Sequence, residues 1–258
     1  MNNESQILCM NKIEDIYNKT LDFCSNNLED TLIVFDIDQT LVYPVNKAFC
    51  SCSLEAHRSF LNELASTLSR EKEEAMWNLA VSGPSKIREE KTLECFNNFK
   101  KKGGTVITLT AAGPGKLFEH KRFDIFRYNL LKKKGFDFSD ACEETDFCFT
   151  EFSSFRGNFP TYYNGMISGN GTVGEATKGR ILVAFLKKCK KYPKKVVFID
   201  DLKENINSVA VVLEEQKMPY LSIEYGMSMT KLEEKVSLEE FKASWFPIYE
   251  KVKNCSNV

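Results

Sequence analysis

Short, uninterrupted apolar runs alternate along the chain with longer amphipathic segments. Leu32-Ile33-Val34-Phe35, the TVITLT run at 105–110 and the VVFI run within 195–201 are apolar on both faces, the pattern of strands buried in a parallel sheet. YLSIEY at 220–225 predicts a further strand and DFCFT at 146–150 a short one. FPTYYNGMISGNG at 159–171 predicts a hairpin turning at Asn164-Gly165. Met10, Ile13, Tyr17 and Leu21 fall at helical spacing and predict a helix over about 7–26; further helices are expected over about 117–134, 203–217 and 237–253. After Pro44, His57, Leu61, Leu64 and Leu68 form one stripe of a long helical pattern that Ser82-Gly83-Pro84 breaks, and a shorter helix over about 86–101 ends at Gly103-Gly104. Strands alternating with helices predict an α/β fold, a Rossmann-like three-layer sandwich with a parallel central sheet. With neither repeats nor low-complexity linkers, the chain reads as one domain, 1–258, carrying a helical insertion over 45–100.

Composition narrows the partners. At 258 residues and 43% hydrophobic, the chain can bury one substantial core. A formal net charge of −1 gives no global field for nucleic acid. No apolar stretch is long enough to span a membrane, and the start, MNNESQ, does not read as a secretory leader. Nine scattered cysteines fit free thiols in a reducing cytoplasm. Cys50-Ser51-Cys52 with His57 lacks the second Cys pair that a zinc site would need.

The chemistry collects where apolar runs end. Asp36 and Asp38 follow the first run, with Thr40 next; two carboxylates two apart on an extended segment face the same way. Alone, such a pair more often caps a turn. Thr110 ends the second run, Lys178-Gly179 opens an amphipathic segment, and Asp200-Asp201 end the third run. In an open α/β sheet, strand ends of this kind are where ligands bind.

In that order these residues resemble the motifs of the haloacid dehalogenase (HAD) superfamily: DxDx[TV] at Asp36, Asp38 and Thr40, a hydroxyl at Thr110, Lys178, and the acidic pair Asp200/Asp201. The likeness spans about 31–206. The resemblance implies a HAD-like fold with residues 45–100 as a small helical cap, and a phosphoric monoester hydrolase with Mg²⁺ as cofactor. It assigns Asp36 as the nucleophile that forms an aspartyl-phosphate, and Asp38 as general acid and then base. Thr110 and Lys178 bind the phosphate. The metal falls to the Asp36 carboxylate, the Asp38 backbone carbonyl and Asp201, with Asp200 beside them and holding Lys178; which of Asp200 and Asp201 is the direct ligand stays open. Asp38 would need a pKa raised by burial and nearby negative charge. Asn205 either braces the metal loop or simply starts a helix.

Within the superfamily, FDIDQTL, VITLTA, YYNGMIS leading to KG, and VFIDDLKENI resemble a group of HAD-like proteins from intracellular bacteria that includes a Legionella effector with protein tyrosine phosphatase activity. Many members of that group read Thr-Ala-Arg where this chain has Thr110-Ala111-Ala112, which sets a shared substrate apart from a shared chemistry. Three functions follow: a Mg²⁺-dependent phosphatase acting on phosphoprotein, including phosphotyrosine; the same chemistry on a small phosphorylated metabolite; and a non-catalytic interaction protein on the HAD fold. Tyr162 and Tyr163 are read either as rim contacts to substrate or as packing. The location is the cytoplasm, or a host cell reached without a classical signal peptide.

Overall fold

A computed structural model describes residues 5–172, 174–226 and 234–255. Its strands are β1 Gln6–Met10, β2 Thr31–Phe35, β3 Val42–Pro44, β4 Ser85–Ile87, β5 Thr105–Thr110, β6 Asp146–Cys148, β7 Thr161–Tyr163, β8 Met166–Ser168, β9 Lys195–Asp200 and β10 Tyr220–Tyr225. The helices are α1 Ile13–Phe23, α2 Ser51–Ala56, α3 Arg58–Ser66, α4 Arg70–Ser82, α5 Thr92–Lys101, α6 Phe123–Lys133, α7 Lys178–Lys188, α8 Lys203–Glu215 and α9 Leu238–Lys253.

The central sheet has eight strands in the order β1-β10-β9-β2-β5-β8-β7-β6. It is parallel from β1 to β8, and antiparallel only where β7 and β6 extend the edge. Side-chain alternation divides the apolar strands between two layers. Ile33, Phe35, Val106, Val197 and Ile199 pack on one side with α1 and α5, through Ile13, Ile16, Phe96 and Phe99. Leu32, Val34, Ile107, Leu109, Val196 and Phe198 pack on the other with α7 and α8, through Ile181, Phe185, Ile206 and Leu213. The protein is therefore α/β, a mostly parallel sheet flanked by helices, consistent with a Rossmann-like three-layer arrangement.

Four expectations are corrected. Residues 7–26 do not form one helix: Gln6–Met10 pair in parallel with β10, and the helix starts only at Ile13, after Lys12 in an extended conformation. The long helix expected beyond Pro44 is three short ones, interrupted at His57 and again before Ser69, whose side chain caps α4. The insertion is also shorter than 45–100. β3 and β4 pair antiparallel and close it at its base, whereas α5 buries Cys95, Phe96 and Phe99 in the sheet's own core. The insertion packs instead on α9, where Leu61, Leu64, Met76 and Ala80 meet Phe241, Trp245 and Tyr249. The hairpin turns at Asn164 and Gly165, both at positive φ (45° and 89°), the backbone a two-residue turn of this kind requires. Cys142 and Cys189 form a disulfide with Cα atoms 5.0 Å apart, so these two are not the free thiols expected.

Gly179 sets how closely α7 approaches α8. A Cβ at this position would lie 2.1 Å from the Ser208 carbonyl oxygen and 2.8 Å from Val212 Cγ2, and the Gly179 N–H donates to Ser208 Oγ at 3.1 Å. Gly179→Ala must push the two helices apart. The expected loss is about 1–3 kcal/mol, as for overpacking elsewhere, read as a lower urea midpoint; an unchanged midpoint would show that the helices are not held at this distance.

Candidate active site

Strand order brings the chemistry together. β2 lies between β9 and β5, and the chain runs from β2 to β5 and β8 on one side before returning to β9 on the other. The crevice at such a switch point, beyond the carboxyl ends of the strands, is the usual ligand site of an open α/β sheet. Asp36 leaves β2 there, and its N–H donates to the Ile199 carbonyl at 2.8 Å, which sets it level with Asp200 at the end of β9.

Lys178 lies between the two. Its Nζ donates to Asp36 Oδ1 at 2.5 Å and to Asp200 Oδ2 at 2.7 Å, with the lysine side chain 1% exposed and Asp200 wholly buried. A lysine in the first turn opposes the helix dipole, and a buried ammonium costs several kcal/mol unless paired. Two carboxylates meet both demands. Burial by itself lowers the Lys178 pKa, but Asp200 and Asp36 outweigh it and the net shift is upward. Burial pushes Asp36 up from an ordinary 3.8 to about 7; Lys178 opposes the shift, and Asp200 and Asp38 add to it. Asp201 is raised as well, by burial and by the charges of Asp36 and Asp200.

The acidic pair divides its work. Asp200 Oδ1 accepts from the Leu202 N–H at 2.9 Å and from Asn205 Nδ2 at 3.0 Å, while its other oxygen holds Lys178. Asn205 is thus both in the first turn of α8 and a brace for this loop. Asp201 accepts no hydrogen bond from the described residues, and one carboxylate oxygen each of Asp36, Asp200 and Asp201 lie within 4.8 Å of one another. A hard divalent cation with oxygen ligands suits that donor set, with Asp201 and the second oxygen of Asp36 the acceptors left uncommitted.

Asp38 and Thr110 lie beside this cluster in a different setting. Thr110 Oγ1 donates to Asp38 Oδ2 at 3.4 Å and accepts from the Ala112 N–H at 3.1 Å. The Asp38 side chain is 28% exposed, and both of its oxygens accept from Arg127 Nη2 at 2.8 Å. Sequence reading missed Arg127. The signal was an arginine spaced four residues from Phe123 and from Leu131, on the buried stripe of α6. Gln39 was missed too. At φ +62° its carbonyl accepts from Arg88, and its side chain accepts from the Ser51 N–H at 2.6 Å, tying the acidic loop to the start of α2. Thr40 is buried and belongs neither to the acidic cluster nor to the lining of the crevice. Tyr162 is core, packed on Phe147 and Phe185, and Tyr163 packs edge-on against Tyr128; neither lines the crevice.

The crevice is a cleft of about 610 Å³. Asp36, Asp38, Thr110, Lys178, Asp201 and Asn205 form its floor, and Arg58, Arg70, Glu74, Trp77 and Asn78 of the insertion form its roof.

The sheet order and its flanking helices define an α/β protein with a buried carboxylate–lysine–carboxylate centre at the switch point of its sheet. Residues 10–253 match a family model described as "Protein of unknown function (DUF2608)", and the chain belongs to that family. It is similar to an uncharacterized protein of Rickettsia prowazekii (strain Madrid E), 25% identical over 200 residues that cover 76% of this chain and 70% of the other. An uncharacterized protein of Rickettsia bellii (strain RML369-C) is 22% identical over 206 residues, covering 76% and 68%.

The pKa of Asp36 carries a sign. Its folded-state value lies above its unfolded one, so its contribution to stability is full below about pH 4 and is lost as pH rises towards about 7. The thermal midpoint of EDTA-treated protein should fall across that window more steeply than that of Asp36→Asn. A divalent cation should raise the wild-type midpoint most at the upper end. Equal slopes for the two proteins would contradict this environment for Asp36.

Proposed function

We propose that this chain is a member of the HAD superfamily and a Mg²⁺-dependent phosphomonoester hydrolase that works through an aspartyl-phosphate on Asp36. The observation that carries the reading is the buried triad of Asp36, Lys178 and Asp200 at the switch point, with Asp201 beside it accepting no hydrogen bond from the described residues. A binding module gains nothing from burying two carboxylates on one ammonium with a third carboxylate beside them. A phosphotransfer site needs a carboxylate nucleophile next to compensating positive charge.

Asp36 would attack phosphorus through one oxygen of its carboxylate, and Lys178, bonded to that carboxylate, would offset charge on the transferring group. Thr110 would turn its hydroxyl from Asp38 to a phosphate oxygen. Asp38 would give a proton to the leaving oxygen in the first half-reaction and recover one from the attacking water in the second. Mg²⁺, held by Asp36, Asp201 and the Asp38 carbonyl, would offset repulsion between the phosphate dianion and Asp36. Asp200 would keep Lys178 in place.

The roofed cleft favours a small phosphoester over a phosphoprotein. Its volume of about 610 Å³ lies within the ordinary range for small-molecule sites, and contacts to α9 and to Gln39 hold its roof down. A phosphotyrosine-bearing protein is the second reading.

Phosphate release from p-nitrophenyl phosphate, with Mg²⁺ and with EDTA, tests the proposal for the wild type and Asp36→Asn. Turnover should require both the metal and Asp36, and Asp36→Asn should lose at least about a thousandfold in kcat, because a covalent route loses its nucleophile. Activity that survives the substitution would remove Asp36 from that role. A comparison of sugar phosphates and nucleotides with phosphopeptides then separates the two substrate classes.

A further inference from the structure

We propose that Arg127 is a positioning residue for Asp38, aiming its carboxylate at the water that hydrolyses the phosphoenzyme; this rests on the hydrolase reading above. Arg127 is 4% exposed and reaches in two directions from the middle of α6. Nη2 donates to both oxygens of Asp38 at 2.8 Å, and Nη1 donates to the Val81 carbonyl at 3.1 Å, in the last turn of α4. The guanidinium also lies 6.0 Å from the Phe123 ring centroid. It is therefore anchored to the roof of the cleft while it grips the carboxylate on the floor.

Little else orients that side chain. The Asp38 backbone is fixed by its bridge to Val42 and by the Gln39 N–H donating to the Val42 carbonyl at 2.7 Å. The side chain has Thr110 at 3.4 Å as its only other hydrogen-bond partner among the described residues. Loss of Arg127 would free the carboxylate while the loop that carries it stays in place. Arg127 is too deeply enclosed by Asp38, Val81 and Phe123 to serve as the substrate's own anion clamp, and it does not line the cleft.

The step concerned is the second half-reaction. Water oxygen forms a bond to phosphorus while the bond from phosphorus to the Asp36 carboxyl oxygen breaks, and that electron pair returns to Asp36 as carboxylate. One water proton passes to the Asp38 carboxylate, restoring the proton that Asp38 gave to the leaving oxygen in the first half-reaction. The rate of phosphoenzyme formation from p-nitrophenyl phosphate depends little on this proton, because the bond to the p-nitrophenolate oxygen breaks readily without it; Asp38 then passes its proton to the departed oxygen and is a carboxylate when water attacks. A misdirected Asp38 should therefore slow breakdown of the phosphoenzyme far more than its formation.

The experiment is rapid-mix kinetics with p-nitrophenyl phosphate and Mg²⁺ on the wild type, Arg127→Lys, Arg127→Gln, Asp38→Asn and the Arg127→Gln/Asp38→Asn double variant, each checked for a native melting transition. Acid quench measures phosphoenzyme formation, and a chase measures its decay. Decay should slow by about 10- to 100-fold in Arg127→Gln, less than the roughly 10²–10⁴-fold of a lost general base because Asp38 is misdirected and not removed, while formation changes by less than about threefold. Arg127→Lys should retain part of the decay rate, and the double variant should decay no more slowly than Asp38→Asn. Equal loss in both steps, or multiplicative losses in the double variant, would mean that Arg127 only supports the fold. A folded wild type that forms no phosphoenzyme overturns the hydrolase reading itself, and this role with it.

Discussion

The centre of this protein depends on one buried ammonium. Without Lys178, Asp36 and Asp200 would face each other across the top of the sheet with no compensating charge, a cost of several kcal/mol. The features around the centre serve that contact. Gly179 allows α7 close enough to α8 for the lysine to arrive from above, and Asn205 with the Leu202 N–H fixes the carboxylate it meets. Asp201 feels the Lys178 charge as well but accepts no hydrogen bond from the described residues.

Around that fixed centre the acidic loop is tied to the insertion twice. Gln39 accepts from Ser51 at the insertion's first helix, and Arg127 joins Asp38 to Val81 at its last. The insertion is fixed in turn by α9, whose Trp245 is fully buried and donates to the Ala48 carbonyl at 3.2 Å. The floor of the cleft and its roof are thus parts of one mechanical unit.

Much of this was legible in the chain. Strands apolar on both faces announce themselves, so β2, β5, β9 and β10 were read nearly to their ends, and the residues at those ends were candidates for that reason. What failed was local periodicity where tertiary pairing decides. Gln6–Met10 continue a helical spacing into α1, yet the open edge of β10 claims them as a strand. The reach of the insertion was overread because α5 is amphipathic wherever it packs; only the sheet shows that its Phe96 and Phe99 belong to the core. Arg127 and Gln39 were hidden for another reason. They act through partners 89 and 12 residues away, and no spacing along the chain encodes such pairings.

The short β3–β4 ladder has a consequence beyond its size. By pairing Val42–Pro44 with Ser85–Ile87 it brings the entry and exit of the insertion side by side. Everything between them is therefore a detour that starts and finishes at one place, and the sheet below does not depend on its length. A change in the length of that detour, matched on the face of α9 that receives it, would leave Asp36, Lys178 and Asp200 where the sheet holds them. Diversification of what the cleft admits is thereby uncoupled from preservation of the charged centre beneath it.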